Sequence, residues 1–111
     1  KGWIAYDLSS YVQDIEDCLA NDNRAELLLN QALNECVRYY YRLAGIWLPR
    51  PKERLLDLAK RNRPMSKIVE SVVNAASWKR KAASLIKLCV KIADANKLSL
   101  NGELYRPPEA K

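Results

Sequence analysis

Residues 23–45 read NRAELLLNQALNECVRYYYRLAG, and this stretch decides the fold. From Asn23 to Ala44 it contains neither glycine nor proline. Ala25, Leu28, Leu29, Ala32, Leu33, Cys36, Tyr40 and Leu43 recur at i, i+3, i+4 spacing. That is the period of one helix face, whereas a strand would alternate every second residue. The spacing predicts a helix over 23–44. Its apolar stripe is wide, so the helix is expected to be the central one. Gly45 is suited to end it, because only glycine enters the left-handed region without penalty.

Upstream, Asn21-Asp22-Asn23 is a turn signal that also supplies a helix cap. Before it, Leu8, Tyr11, Val12, Ile15 and Leu19 predict a helix over 8–20, with Asp7 or Ser9 as its cap. Downstream, Ile46-Trp47-Leu48-Pro49-Arg50-Pro51 is a connector. Its prolines disfavour helix in the residues before them. Pro51 suits the first turn of a helix over 51–61, with Leu55, Leu58 and Ala59 inward. Asn62-Arg63-Pro64 breaks that helix. The next runs over 65–76, with Met65, Ile68, Val69, Val72, Val73 and Ala76 inward. Ser77 caps a last helix over 78–96, whose stripe is Trp78, Ala82, Leu85, Ile86, Cys89, Ile92 and Ala93. The expected fold is all-α: an antiparallel up-and-down four-helix bundle with one additional short helix. The bundle is expected to occupy residues 1–96, and residues 97–111 to form a C-terminal tail with a mobile end. Leu29, Leu33, Cys36, Tyr40, Val69, Val72, Leu85, Cys89 and Ile92 are its expected core.

Composition narrows the function by exclusion. There is no histidine, which removes histidine catalysis and histidine metal ligation together. No apolar run reaches the length of a membrane span, and no secretory leader pattern opens the chain. Cys18, Cys36 and Cys89 are odd in number, widely spaced and without a CxxC pair. They read as buried thiols in a reducing compartment, so a cytoplasmic location is expected. The start at Lys1 fits a chain cut from something longer. Charge is uneven: the formal net charge is +6, with −3 on residues 1–49 and +9 on 50–111. A basic half of that size suits a polyanion or an acidic partner, and equally a solvated surface.

Three groups of residues are candidates for binding or chemistry. Asp14 and Asp17 are i, i+3 neighbours that could share a metal or a polarised hydroxyl, or simply face water. In Arg38-Tyr39-Tyr40-Tyr41-Arg42, Arg38 and Arg42 are one turn apart with Tyr41 beside Arg38. They form either a phosphate clamp with a stacking tyrosine, or amphipathic tyrosines at the core edge with extended arginines. Glu35 stands three residues before Arg38 and can take one guanidinium. Lys52 falls at a helix start, where the dipole disfavours a cation unless an anion is near.

The segment Tyr39–Leu58, YYYRLAGIWLPRPKERLLDL, resembles the helical C-terminal domain of kanamycin-type nucleotidyltransferases. Trp47, Pro49 and Lys52 match that family's motif. More loosely, the helix lengths and Trp78 at the head of the last helix extend the likeness over residues 7–96. The resemblance implies a bundle that closes the cleft of a separate catalytic domain or subunit and contacts nucleotide or acceptor. Mg and a nucleoside triphosphate would belong to that catalytic partner. A carboxylate of the bundle serves some members as a base, for which Asp14, Glu16 and Asp17 are the candidates. The chain has no Gly-Ser followed by Asp-x-Asp, so no catalysis is expected of it alone and no metal of its own. The related HEPN-class bundles include ribonucleases that need a histidine, which this chain lacks. Arg38, Tyr41, Arg42, Trp47 and Lys52 are thus the expected substrate- or nucleotide-binding residues. A free-standing basic helical module that binds nucleic acid, or another interaction module, is the alternative. Self-association is compatible with either.

Overall fold

A computed structural model describes residues 2–18 and 25–97. These form α1 (Gly2–Cys18), α2 (Ala25–Ala44), a 3-10 turn (Pro51–Glu53), α3 (Arg54–Arg61), α4 (Arg63–Val73) and α5 (Trp78–Ala95). Among the described residues there is no strand, and no helix is long and apolar enough to cross a membrane. The expected contribution of Leu19, the turn at 21–23 and the tail beyond residue 97 lie outside the described residues.

The helix α1 starts six residues earlier than its sequence pattern suggested. Ile4 and Ala5 are buried one turn before Leu8 and Ser9, so the same face simply continues toward the N-terminus. The helix α2 ends as expected. Gly45 has φ of 73°, its N–H donates to Arg42 O, and the Ile46 N–H donates to Tyr41 O, each at 3.1 Å. These two bonds satisfy carbonyls that the helix end would otherwise leave open.

The predicted 51–61 helix is split. Its first turn is 3-10, and α3 proper starts at Arg54. Only Leu58 of its three expected inward residues is fully buried, and Leu55 is exposed. Asn62 then serves two helices. Its N–H donates to Leu58 O at 2.7 Å to finish α3, and its Oδ1 accepts the Met65 N–H at 3.1 Å to open α4. That cap sets the start of α4 at Arg63 rather than 65, and the helix ends at Val73. Val73 and Ala76, expected inward, are both exposed. Ser77 caps α5 as expected, its Oγ accepting the Arg80 N–H at 3.3 Å.

The central place belongs to α5, which packs against α1, α2 and α4, while α3 packs on α4. Leu85, Leu88, Cys89 and Ile92 of α5 meet a core that includes Leu8, Ile15, Leu29, Cys36, Leu58, Met65 and Val72. At the α2–α5 seam the Cys36 and Cys89 thiols lie 3.4 Å apart, both fully buried. Contact with Cys89 and burial together hold the Cys36 thiol well above the usual range for a free thiol.

Two expected core residues of α2, Leu33 and Tyr40, are only partly buried, while Tyr39 and Tyr41 are buried instead. The reason is the helix period. Residues two apart point to opposite sides, and here both sides have a neighbour. Tyr39 OH donates to Asp7 of α1 at 2.6 Å, and Tyr41 OH donates to Asp57 of α3 at 2.5 Å. Tyr40 lies between them at the edge, ring-to-edge with Tyr41 at 5.2 Å.

Candidate functional site

The end of α2, the start of α1 and the connector after Gly45 enclose an open cleft of about 490 Å³. Arg38 and Arg42 line it from successive turns of α2, and Tyr39 and Tyr41 line it from the same helix. Trp3 enters from α1. Ile46, Trp47 and Leu48 enter from the connector, which Gly45 turns back across the helix end. Arg54 Nε donates to Pro49 O at 2.8 Å and ties the far end of the connector to α3.

The cleft is partly preorganised. The Trp3 ring meets Tyr39 edge-on, with centroids 5.6 Å apart and an interplanar angle of 81°. The Arg42 guanidinium lies 5.2 Å from the Trp3 centroid, in cation–π range. Arg42 is also the cation in the last turn of α2, where the helix dipole favours it. Arg38 is held more loosely, with Nε 3.7 Å from Glu35 Oε2 and a side chain 57% exposed. Trp47 is 94% exposed, so its indole faces remain open. An assembly of one open indole, one loosely held guanidinium and a second indole backed by Arg42 can stack a flat ring and hydrogen-bond an anion.

Four of the five expected binding residues therefore converge: Arg38, Tyr41, Arg42 and Trp47. Tyr41, however, is 1% exposed with its hydroxyl engaged by Asp57, so its ring has no face to offer a base. Lys52 is not part of the cleft lining. It is exposed, it lies in the 3-10 turn ahead of α3, and α3 has Glu53 at its N-cap and Asp57 in its first turn. The dipole argument for an anion at Lys52 thus loses its basis. Asp14 and Asp17 are exposed on α1, Asp17 accepting from Gln13 Nε2 at 3.3 Å. Among the described residues, no three His, Cys, Asp or Glu side chains are grouped to hold a metal ion.

Trp3 is the cleft residue that local sequence reading missed. It lies far from Arg42 in the chain, and no periodicity links the two. A single tryptophan just before an amphipathic run was the only trace.

Two further surfaces lie outside the cleft lining. A smaller, mainly apolar groove of about 170 Å³ runs between α2 and the α3–α4 pair, lined by Leu33, Val37, Leu55, Leu58, Val69 and Val73. Among the described residues of the basic half, most cations are exposed and without an ion pair. Arg61 pairs with Asp57 at 2.8 Å and Lys81 approaches Glu26 at 3.7 Å. Arg50, Lys52, Lys60, Arg63, Lys67, Arg80, Lys87 and Lys91 have no ion-pair partner among the described residues. Arg80, Lys87 and Lys91 fall on one line along α5 by helix period.

No protein-family model, curated protein or solved structure matches the chain.

Proposed function

We propose that this chain is a cytoplasmic helical binding module of a nucleotidyltransferase, working beside a separate catalytic domain or subunit. The observation that carries this reading is the convergence of Trp3, Arg38, Arg42 and Trp47 in one cleft. Support also comes from the resemblance of Tyr39–Leu58 to the bundle domain of that family. In this reading the helices pack up-and-down and antiparallel, and the cleft faces the partner and receives nucleotide or acceptor. Trp47 stacks on the ligand ring, Arg38 meets its anionic group, and Arg42 with Trp3 forms the fixed wall. Mg and the triphosphate reside in the partner, because the family's Gly-Ser followed by Asp-x-Asp does not occur in this sequence.

The test is transfer of a labelled nucleotide. The chain alone, with Mg and nucleoside triphosphates, is expected to give no labelled product. Co-expression with the catalytic domain encoded upstream or in the adjacent reading frame is expected to give turnover. Arg38→Ala should lower that turnover about tenfold, equivalent to about 1.4 kcal/mol. Turnover by the chain alone, or the lack of any such catalytic reading frame, overturns the proposal.

The unpaired cations of α3, α4 and α5 favour a second reading, a nucleic-acid-binding module. That reading requires affinity for generic RNA or DNA that falls steeply with salt, with Lys60, Lys67 and Lys87 contributing equally.

A further inference from the structure

We infer that the cleft takes one nucleotide unit of a single-stranded polynucleotide, a ring with a single phosphodiester, rather than a nucleoside triphosphate. This rests on the cleft being a ligand site, as proposed above, and makes the acceptor a nucleic-acid strand.

Charge is the first argument. The cleft holds two guanidiniums, and one carboxylate, Glu35, stands beside Arg38. The Arg42 guanidinium is already over Trp3. The negative end of α2 also closes onto this cleft, and only the Tyr41 and Arg42 carbonyls are taken by the turn at Gly45. Asp7 lies behind Tyr39 as a further anion. Two guanidiniums less Glu35 leave at most about one positive charge, so the site suits the single negative charge of a phosphodiester and no more highly charged group. A triphosphate brings several, and it would meet the wrong end of a helix.

The ring contacts are the second argument. An indole left 94% exposed on a cleft that is also lined by guanidiniums suits the stacking of bases without sequence preference. An inorganic polyanion or an acidic peptide would have no use for it. The third argument is continuity. Arg50 and Lys52 follow Trp47 along the chain, exposed and without an ion-pair partner among the described residues. They offer positions for neighbouring phosphates of the same strand.

The experiment is fluorescence anisotropy of the intact chain with a fluorescein-labelled single-stranded hexanucleotide, competed by adenosine, ATP with Mg, tripolyphosphate and unlabelled strand. The expected result is saturable binding displaced by unlabelled strand, with ATP competing no better than adenosine and tripolyphosphate weakest of all. Trp47→Ala should weaken strand binding about tenfold and Trp47→Phe much less, because the phenyl ring still stacks. Arg38→Ala should weaken it similarly and lower the slope of log K against log salt by about 0.7, the value for one phosphate contact on a single strand. Circular dichroism melting of Trp47→Ala should match wild type, since the ring is outside the core. If ATP outcompetes the strand and does so through Trp47, the cleft remains a ligand site and the polynucleotide inference falls. If no probe responds to Trp47→Ala or Arg38→Ala, both this inference and the cleft reading fall.

Discussion

Tyr39 and Tyr41 do the same work on opposite flanks of α2, each donating its hydroxyl to a carboxylate of a neighbouring helix. Burial, reinforced by the hydrogen bond to Asp7 or Asp57, raises both phenols above their usual value near 10. A phenol whose pKa is raised on folding stabilises the fold fully below the unfolded value, and that contribution is lost as pH climbs from there toward the folded value. The melting temperature should therefore fall as pH rises beyond about 10, and a titration of thermal unfolding from pH 7 to 11 checks this. Tyr39→Phe and Tyr41→Phe should each start from a lower melting temperature at pH 7 and lose less of it on the alkaline side. An alkaline slope identical to wild type in both variants would refute the linkage. Asp57 behaves in the opposite sense. The Tyr41 hydroxyl, then the Arg61 guanidinium, lower its pKa, so its contribution persists above the ordinary carboxylate range and disappears as pH falls through the lowered value. The tyrosine pair also explains what could be read at this scale. Three consecutive tyrosines signal an unusual helix end, but which of them enters the core depends on where α1 and α3 pass. That information lies outside the local pattern, which favoured Tyr40.

Helix ends were legible where a single residue controls them. Ser77 and Gly45 act through their own backbone neighbourhood, and their roles follow from residue type alone. Asn62 was legible only as a break, although it closes α3 and opens α4 at once. Asn62→Ala should remove the side-chain cap of α4 while leaving the backbone bond that ends α3. The expected cost is about 1 kcal/mol, read from urea unfolding with an unchanged m-value. A neutral result would mean the α4 N-terminus is held by packing of Met65 and Ser66 alone. The start of α1 was not legible because burial of Ile4 in the core, and not a local sequence signal, marks its first turn. The cleft divides the same way. Arg38, Arg42 and Trp47 lie within ten residues and carry a local signal, whereas Trp3 joins them only through the packing of α1.

At the scale of the molecule, stability rests on α5, since three other helices pack on it. The sequence pattern assigned that place to α2 because its stripe is wider. A helix's neighbours depend on topology as well as on the width of its apolar face, and topology is not written in periodicity. Leu85 is fully buried in α5. Leu85→Ala should destabilise by about 2–5 kcal/mol through lost contacts and the cavity left behind, measured by chemical denaturation. An unchanged midpoint would contradict the packing described. The thiols at the α2–α5 seam give this prediction a second, independent readout. Cys36 and Cys89 touch each other and no solvent, so neither can be alkylated until the helices part. Their rate of chemical modification, followed site by site by mass spectrometry, becomes a clock for spontaneous opening of the whole bundle under native conditions. When reclosing outpaces the reagent, each tenfold gain in that rate corresponds to about 1.4 kcal/mol of lost stability. The Leu85→Ala chain should thus label at least about thirtyfold faster at both positions, and in step. The sulfur pair is in this sense a built-in reporter of how often the native protein comes apart.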